Sequence, residues 1–232
     1  MAETAFTGFP EGTFKFLRGL AAHNEKAWFD EHRADYERYY LAPGFAFVEA
    51  LGPRLKKISP KVQWAAKING SLFRINRDIR FAKDKRPYKT NLDMWFWHGE
   101  RGGWNAPGFF VRIAPDSDGV GVGMHGWQKP QLDAYRKAVV DPRAGKALAR
   151  IVGQLAAAGY EIRGASRKAV PRGFDPAHER APLLLHESLW AEFKEKPGKS
   201  VASPGFVDAC ADHAAAMWPL GKWLLAEVAA PT

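Results

Sequence analysis

The apolar residues near the start of the chain recur every three or four positions, which is the spacing of one face of an α-helix. Phe14, Leu17 and Leu20 share such a face. Thr13 is placed to cap this helix, and Asn24 is placed to close it or to cap the next one. The chain is therefore predicted to begin with a helical segment.

Two further helical patterns follow, with a break predicted between them. Aromatic residues recur at helical spacing over residues 28–40, and apolar residues do so again over residues 47–58. Pro43 and Gly44 lie between these patterns, and proline lacks the amide that a helix interior needs. The aromatic side chains are predicted to form core rather than a cofactor site.

The period of the pattern changes from Ser71 onward. Four short stretches rich in β-branched and aromatic residues are separated by turn-forming residues: SLFRI, NLDMWFWH, GFFVRIA and GVGVGMHG. No helical stretch of crossover length separates them, which favours an antiparallel meander over a doubly wound parallel sheet. The continuous aromatic run from Trp95 to Trp97 is expected to be buried, or to line the neighbouring basic segment.

Helical spacing returns over residues 130–158, with a break near Asp141 and Pro142. A short strand over residues 160–163 and C-terminal helices starting near Ser203 and Pro219 complete the pattern. We therefore expect an α+β fold, with an antiparallel meander sheet packed with N-terminal and C-terminal helices. Residues 1–232 contain no repeat, low-complexity segment or long linker, so one domain is expected.

The composition, 46% hydrophobic and 13% aromatic, is typical of a folded chain. Cys210 is the one cysteine, so no intramolecular disulfide forms, and its apolar surroundings predict burial. The chain begins without a basic leader and apolar segment, and no apolar run approaches the roughly 18 to 20 residues of a membrane span. We expect a cytoplasmic protein with no membrane partner, while the sequence leaves its oligomeric state open.

Positive charge is concentrated in one segment, Arg74–Asn91, which reads RINRDIRFAKDKRPYKTN. Its four Arg and three Lys oppose two Asp, a net of +5 in a chain whose net charge is +9. A turn near residues 83–87 is expected to gather the lysines around Tyr88. Charge of this sign favours anionic partners, either a small molecule or nucleic acid.

Residue types in this segment are those of an oxyanion site. Arginine offers a planar fork for phosphate or carboxylate, and lysine offers a compact charge. The candidate ligand-binding residues are Arg74, Arg77, Arg80, Lys83, Lys85 and Lys89. Asp78 and Tyr88 are the candidate catalytic residues, because either could handle a proton.

The same segment resembles the hallmark of a family of bacterial and fungal conserved hypothetical proteins, domain of unknown function 2461. That hallmark is F-R-x-x-R-D-x-R-F-x-K-D-K-x-P-Y-K-T. The likeness extends over most of the chain, through NEKAWF, PGFFVRIAP, LDAYR and WPLGKWLL. One departure is VGVGMHGWQKP, where Met124 and His125 stand among the glycines.

The resemblance implies that the family's characteristic positions are occupied here by Arg74, Arg77, Asp78, Arg80, Lys83, Asp84, Lys85, Pro87, Tyr88 and Lys89. It implies no activity, since the family has none established. Three functions stay open: a binder or enzyme for a phosphate- or carboxylate-bearing small molecule, a nucleic-acid-binding module, and an architectural ion-pair network that binds nothing.

Signals for a metal or an organic cofactor are weak. The seven histidines show none of the spacings of metal sites, and the glycine run at residues 119–126 alternates like a strand rather than forming a nucleotide-binding loop. We expect neither a metal nor a cofactor.

Overall fold

The computed structural model describes residues 5–99 and 106–229. The first elements are α1 (Glu11–Ala22), α2 (Lys26–Glu31), the single turn α3 (Arg33–Asp35), a π-helix (Tyr36–Leu41) and α4 (Ala42–Ile58). The predicted break at Pro43 and Gly44 is wrong, because the π-helix leads directly into α4. Pro43 lies in the first turn of α4, directly after the π-helix, and its fixed φ of about −65° is compatible with helical backbone.

Thr13 does not cap α1. The residue before the helix is Pro10, and Thr13 lies within the first turn, fully buried. Its hydroxyl donates to the carbonyl of Tyr39 at 2.5 Å. The predicted cap therefore joins α1 to the π-helix instead.

One five-stranded antiparallel sheet contains β1 (Leu92–Phe96), β2 (Gly108–Ile113), β3 (Asp118–Met124), β4 (Glu161–Ala165) and β5 (His186–Glu195), in the order β1-β2-β3-β5-β4. The first three strands form the predicted meander. The stretch SLFRI is not a strand of its own, although Leu72 forms an isolated antiparallel bridge with Met94 of β1. Sequence patterning did not predict β5.

The remaining helices are α5 (Lys129–Val140), α6 (Ala144–Ala157), a 3-10 helix (Ala181–Leu185) and α7 (Phe206–Glu227). The two helices predicted near Ser203 and Pro219 are one helix with Pro219 inside it. Met217, Leu220 and Leu224 are fully buried on both sides of the proline. Burial of this face offsets the hydrogen bond that proline cannot make. The α+β fold class is confirmed.

Contacts divide the chain into two compact units. Unit 1 holds the described residues up to Phe96, with Phe110–Val120 and Lys194–Asp212. Unit 2 holds the described residues of Trp97–Phe109, Gly121–Phe193 and those from His213 onward. The single domain expected over residues 1–232 stays a prediction.

Each unit has its own aromatic core. In unit 1 the Phe47 ring lies 5.4 Å from that of Phe9 and 5.5 Å from that of Phe206, and Cys210 is buried as predicted. In unit 2 the Phe109 and Trp218 rings stack at 4.7 Å. Packing of aromatic rings at such distances adds to the free energy of burial.

Alternation along β1 and β2 decides which side chains of unit 1 face away from the core. Leu92, Met94 and Phe96 are fully buried, so Asp93 and Trp95 lie on the other face of β1. By the same alternation Arg112 lies on that face of β2. Trp95, Phe96 and Trp97 are all buried, as predicted. Within the described ranges, none of the helices has the length and apolar character that crossing a bilayer requires.

Candidate functional site

The predicted basic segment folds into a hairpin, whose residues 77–87 we call the basic arm. Asn76 and Tyr88 form an isolated antiparallel bridge. The amide of Arg77 donates to the carbonyl of Pro87, and that of Lys89 donates to Ile75, both at 2.8 Å. The segment therefore reverses direction over residues 78–86 and returns to the same place in unit 1.

Asn24 anchors the returning strand of the hairpin. Its side-chain oxygen accepts the Tyr88 amide at 2.9 Å, and its side-chain nitrogen donates to the Tyr88 carbonyl at 3.0 Å. The Tyr88 ring stacks on Phe29 at 4.5 Å and is 6% exposed. Tyr88 thus packs the hairpin against the helical layer, and the catalytic role predicted for it stays a prediction.

Replacing Asn24 by alanine is expected to lower the free energy of unfolding by about 1–2 kcal/mol, because both backbone groups of Tyr88 lose a partner. Hydrogen exchange of the Tyr88 amide is expected to accelerate in the same variant. Urea denaturation and amide exchange measure the two effects. Asn76→Ala, at an exposed position of the same bridge, is the control. Equal loss of stability in both variants would contradict the anchoring role.

Two short turns of the form Asp-x-Arg hold the loop of the arm. Asp78 accepts the amide of Arg80 at 3.2 Å and its guanidinium at 3.0 and 2.7 Å. Asp84 does the same with Arg86, at 3.0 Å to the amide and 2.8 Å to the Nη2. A side chain that bonds the backbone two residues on is a turn-forming device.

Ionisation of both carboxylates follows from these contacts. The guanidinium of Arg80 lowers the pKa of Asp78. Arg86, and then Arg77 at 2.9 Å, hold the pKa of Asp84 well below its usual range. A carboxylate with a lowered pKa is a weak base near neutral pH. The geometry therefore supports a conformational role for Asp78, and its predicted catalytic role stays a prediction.

The ion pairs of the arm are mostly exposed to solvent. The side chains of Asp84, Asp78, Arg86 and Arg80 are 41%, 48%, 59% and 76% exposed, while that of Arg77 is 26% exposed. Exposed pairs of this kind are typically worth about 0–1 kcal/mol each. The network that an architectural motif would use is present, but it is not buried.

Lysine and aromatic side chains complete the arm. The Lys85 amine donates to the carbonyls of Ile79 at 3.0 Å and Arg80 at 3.5 Å, closing the loop from inside. Lys83 is exposed and has no hydrogen-bond or ion-pair partner among the described residues. Phe81 is 95% exposed, with the Arg80 guanidinium 5.9 Å from its ring centroid.

A second group of charges lies where the hairpin joins the sheet. We call Arg74, Lys89, Asp93 and Arg112 the arm-base cluster. Arg112 of β2 donates to Asp93 of β1 through two nitrogens, at 2.6 and 3.1 Å. The Asp93 side chain is 17% exposed. This fork-to-carboxylate pair fixes the orientation of both groups on the outer face of the sheet.

Lys89 is the partly buried cation of the arm-base cluster. Its amine lies 4.8 Å from the centroid of the Phe73 ring, and it has no ion-pair partner among the described residues. Burial lowers the pKa of Lys89, Asp93 raises it, and Arg112 and Arg74 lower it again. Three cations and one carboxylate therefore interact here, of which Lys89 and Asp93 are partly buried and Arg74 and Arg112 are exposed.

The predicted ligand-binding residues thus divide into two groups. Arg77, Arg80, Lys83 and Lys85 belong to the arm together with Asp78, whereas Arg74 and Lys89 belong to the arm-base cluster. The charge of Arg74 helps to lower the pKa of Asp78, so the two groups interact electrostatically.

Sequence reasoning missed Asp93 and Arg112. The two residues are 19 positions apart, and pairing of β1 with β2 brings them together. Their signal is a charged residue on the side of each strand opposite the apolar positions. Alternation could have selected both residues, but the register between strands could not be read from the sequence.

A cleft of about 540 Å³ lies elsewhere in unit 1, alongside α1 and α2. Its lining includes Lys15, His23, Trp28, His32 and Asp35. The His32 Nδ1 lies 2.8 Å from the carbonyl of Trp28 and donates this hydrogen bond. None of the residues predicted for the site lines this cleft. No group of three or more potential metal ligands occurs among the described residues.

One protein-family model covers both the basic arm and the arm-base cluster. The family model described as "Conserved hypothetical protein (DUF2461)" matches residues 12–223. Neither a curated protein nor a solved structure matches the chain. The matched region contains every residue of the basic arm and of the arm-base cluster.

Proposed function

Because the chain belongs to the DUF2461 family of conserved hypothetical proteins, whose description names no activity, we propose a function from the site's own chemistry. The protein binds a small molecule through a phosphate or carboxylate group at the arm-base cluster. One observation carries the proposal: Lys89 is partly buried and within range of the charges of Arg74 and Arg112, with Asp93 as the one carboxylate that acts on it.

An excess of positive charge in a partly buried place is unfavourable without an anion. Removing an ammonium group from water costs free energy, and neighbouring cations add to that cost. When no anion is bound to the arm-base cluster, this free-energy cost lowers the pKa of Lys89. A bound anion would reverse the balance, because an opposite charge within a few ångströms stabilises the ammonium form.

The groups around Lys89 suit an anionic headgroup with an apolar remainder. Arg112 is held by Asp93, while Arg74 is exposed and has no hydrogen-bond or ion-pair partner in the described residues. Arg74 is therefore able to turn its planar fork onto a phosphate or carboxylate. The Phe73 ring supplies an apolar contact beside the amine of Lys89.

The experiment is a binding screen with inorganic phosphate, sugar phosphates, nucleotides and di- and tricarboxylates, followed by calorimetry on those that bind. Lys89→Met keeps the aliphatic stem over Phe73 and removes the charge. This variant is expected to bind about tenfold more weakly than the parent protein, as is Arg74→Ala, since each loses one charged contact. Lys57→Ala, at an exposed lysine in the last turn of α4, is the matched control and is expected to bind as the parent does.

Two results would overturn the proposal. In the first, no anion of the panel binds the parent protein, and in the second, Lys89→Met binds with unchanged affinity. Proton linkage gives a separate check, because an anion that raises the pKa of Lys89 makes the protein take up a proton on binding. Affinity is then expected to fall as the pH rises through the lowered pKa of Lys89, and this fall is expected to be absent from Lys89→Met.

A further inference from the structure

Phe81 stands apart from the other large hydrophobic residues of the described chain. It is 95% exposed, and the only other one classed as exposed there is Ile68, at 38%. A lone exposed hydrophobic residue is common and needs no explanation by itself. Phe81, however, lies in the loop of the basic arm, where neighbouring side chains are positively charged.

The loop that carries Phe81 is held on both sides. Asp78 clamps Arg80 immediately before it, and Asp84 clamps Arg86 after it. Lys85 ties the loop together by donating to the carbonyls of Ile79 and Arg80. The ring is therefore presented on an ordered loop, which lowers the entropy lost when a partner binds.

Two exposed cations lie close to Phe81 along the loop, Arg80 directly before it and Lys83 two residues after it. Lys83 has no partner among the described residues, and Arg80 is 76% exposed with its guanidinium near the Phe81 ring. The Nη1 of Arg80 has no hydrogen-bond partner among the described residues, so it can donate to a phosphate while Nε and Nη2 stay bonded to Asp78. An aromatic face beside two exposed positive charges is the combination that proteins use for unstacked bases and their phosphates.

We propose that the tip of the basic arm binds single-stranded nucleic acid, with Phe81 stacking on a base and Arg80 and Lys83 contacting neighbouring phosphates. A single strand fits better than a duplex, because the faces of paired bases are already covered by their neighbours. An anionic membrane would attract the same charges, but one phenyl ring offers little apolar area, and stable anchoring takes two signals.

The proposal is independent of ligand binding at the arm-base cluster. It rests on Phe81, Arg80 and Lys83, none of which belongs to that cluster. Lys89→Met removes one positive charge and is accordingly expected to weaken the binding of nucleic acid by no more than about twofold. Phe81→Ala is expected to leave small-anion binding unchanged.

The test is fluorescence anisotropy of the full chain with a labelled oligothymidine of about 12 nucleotides, a matched duplex, and vesicles containing phosphatidylserine. The parent protein is expected to bind the single strand at 50 mM salt and more weakly at 200 mM. Phe81→Ala is expected to bind about tenfold more weakly at each salt concentration, with an unchanged dependence on salt. Lys83→Ala is expected to reduce the salt slope by about 0.7, the value for one phosphate of a single strand.

Two further variants show whether the ring acts by stacking. Phe81→Trp is expected to restore binding, and its indole fluorescence is expected to be quenched when the strand binds. Ile68→Ala, at the other exposed hydrophobic position, is expected to bind as the parent does. The proposal is overturned if the parent does not bind the strand at 50 mM salt, if Phe81→Ala binds equally well, or if duplex or vesicles bind more tightly than the strand.

Discussion

An Asp118→Asn variant is expected to need about 3 kcal/mol more free energy to unfold than the parent protein at pH 8, and nearly the same free energy at pH 4. Asp118 begins β3 in unit 1 and is 3% exposed. Its Oδ2 has no hydrogen-bond partner among the described residues. Burial, and then the charge of Glu195, raise the pKa of Asp118 from 3.8 to about 6.

The dependence on pH follows from where the proton is held. The folded protein keeps the proton on Asp118 up to about pH 6, whereas the unfolded chain releases it near pH 4. The contribution of Asp118 to stability is therefore greatest at acid pH and is lost as the pH rises from about 4 to 6. Asparagine resembles the protonated form at every pH, so the variant lacks this loss.

Urea denaturation of both proteins between pH 4 and pH 8 measures the difference. Asp116→Asn, an exposed carboxylate in the same turn, is the control, with an expected change of less than about 0.5 kcal/mol. If the free energy of unfolding changed with pH in the same way for Asp118→Asn and the parent, ionisation of Asp118 would not destabilise the folded protein, and the prediction would be wrong.

Replacing Arg180 by alanine is expected to lower the free energy of unfolding by about 3 kcal/mol, because two carbonyls at the end of a helix lose a charged donor. Arg180 is 7% exposed in unit 2. Its Nε donates to Val139 at 2.7 Å and its Nη2 to Val140 at 3.2 Å, at the C-terminus of α5. A cation there also interacts favourably with the helix dipole.

Gly145 shows how closely this arrangement is packed. A Cβ at that position would lie 2.0 Å from the Val139 carbonyl oxygen and 2.7 Å from the Arg180 Nε. Arg150→Ala, at an exposed position of α6, is the control for Arg180→Ala and is expected to change stability by less than about 0.5 kcal/mol. A loss below about 1 kcal/mol for Arg180→Ala would show that water replaces the guanidinium.

Periodicity predicted the helices and strands whose apolar residues are regularly spaced. The helices α5 and α6, the strands β1 to β3 and the α+β class follow from spacing alone. Local rules failed where tertiary packing outweighed them. Pro219 lies inside α7 because the buried face continues past it. Thr13 has the chemistry of a cap, yet its hydroxyl finds the Tyr39 carbonyl instead.

The candidate site was only half predictable for a similar reason. The arm is continuous in sequence, so its charge excess is visible in the order of residues. The arm-base cluster is not, because Asp93 and Arg112 come from two strands and meet through their pairing. Burial of Lys89 and exposure of Phe81 likewise depend on the packed structure.

The clamp that Asn24 places on Tyr88 also protects the hairpin from other chains. An outer strand normally presents unpaired amides and carbonyls, and these groups invite edge-to-edge aggregation. The carboxamide of Asn24 occupies the Tyr88 amide and carbonyl as a neighbouring strand would. One side chain thus does the work of an additional strand, and the basic hairpin is closed to intermolecular β-pairing at that residue.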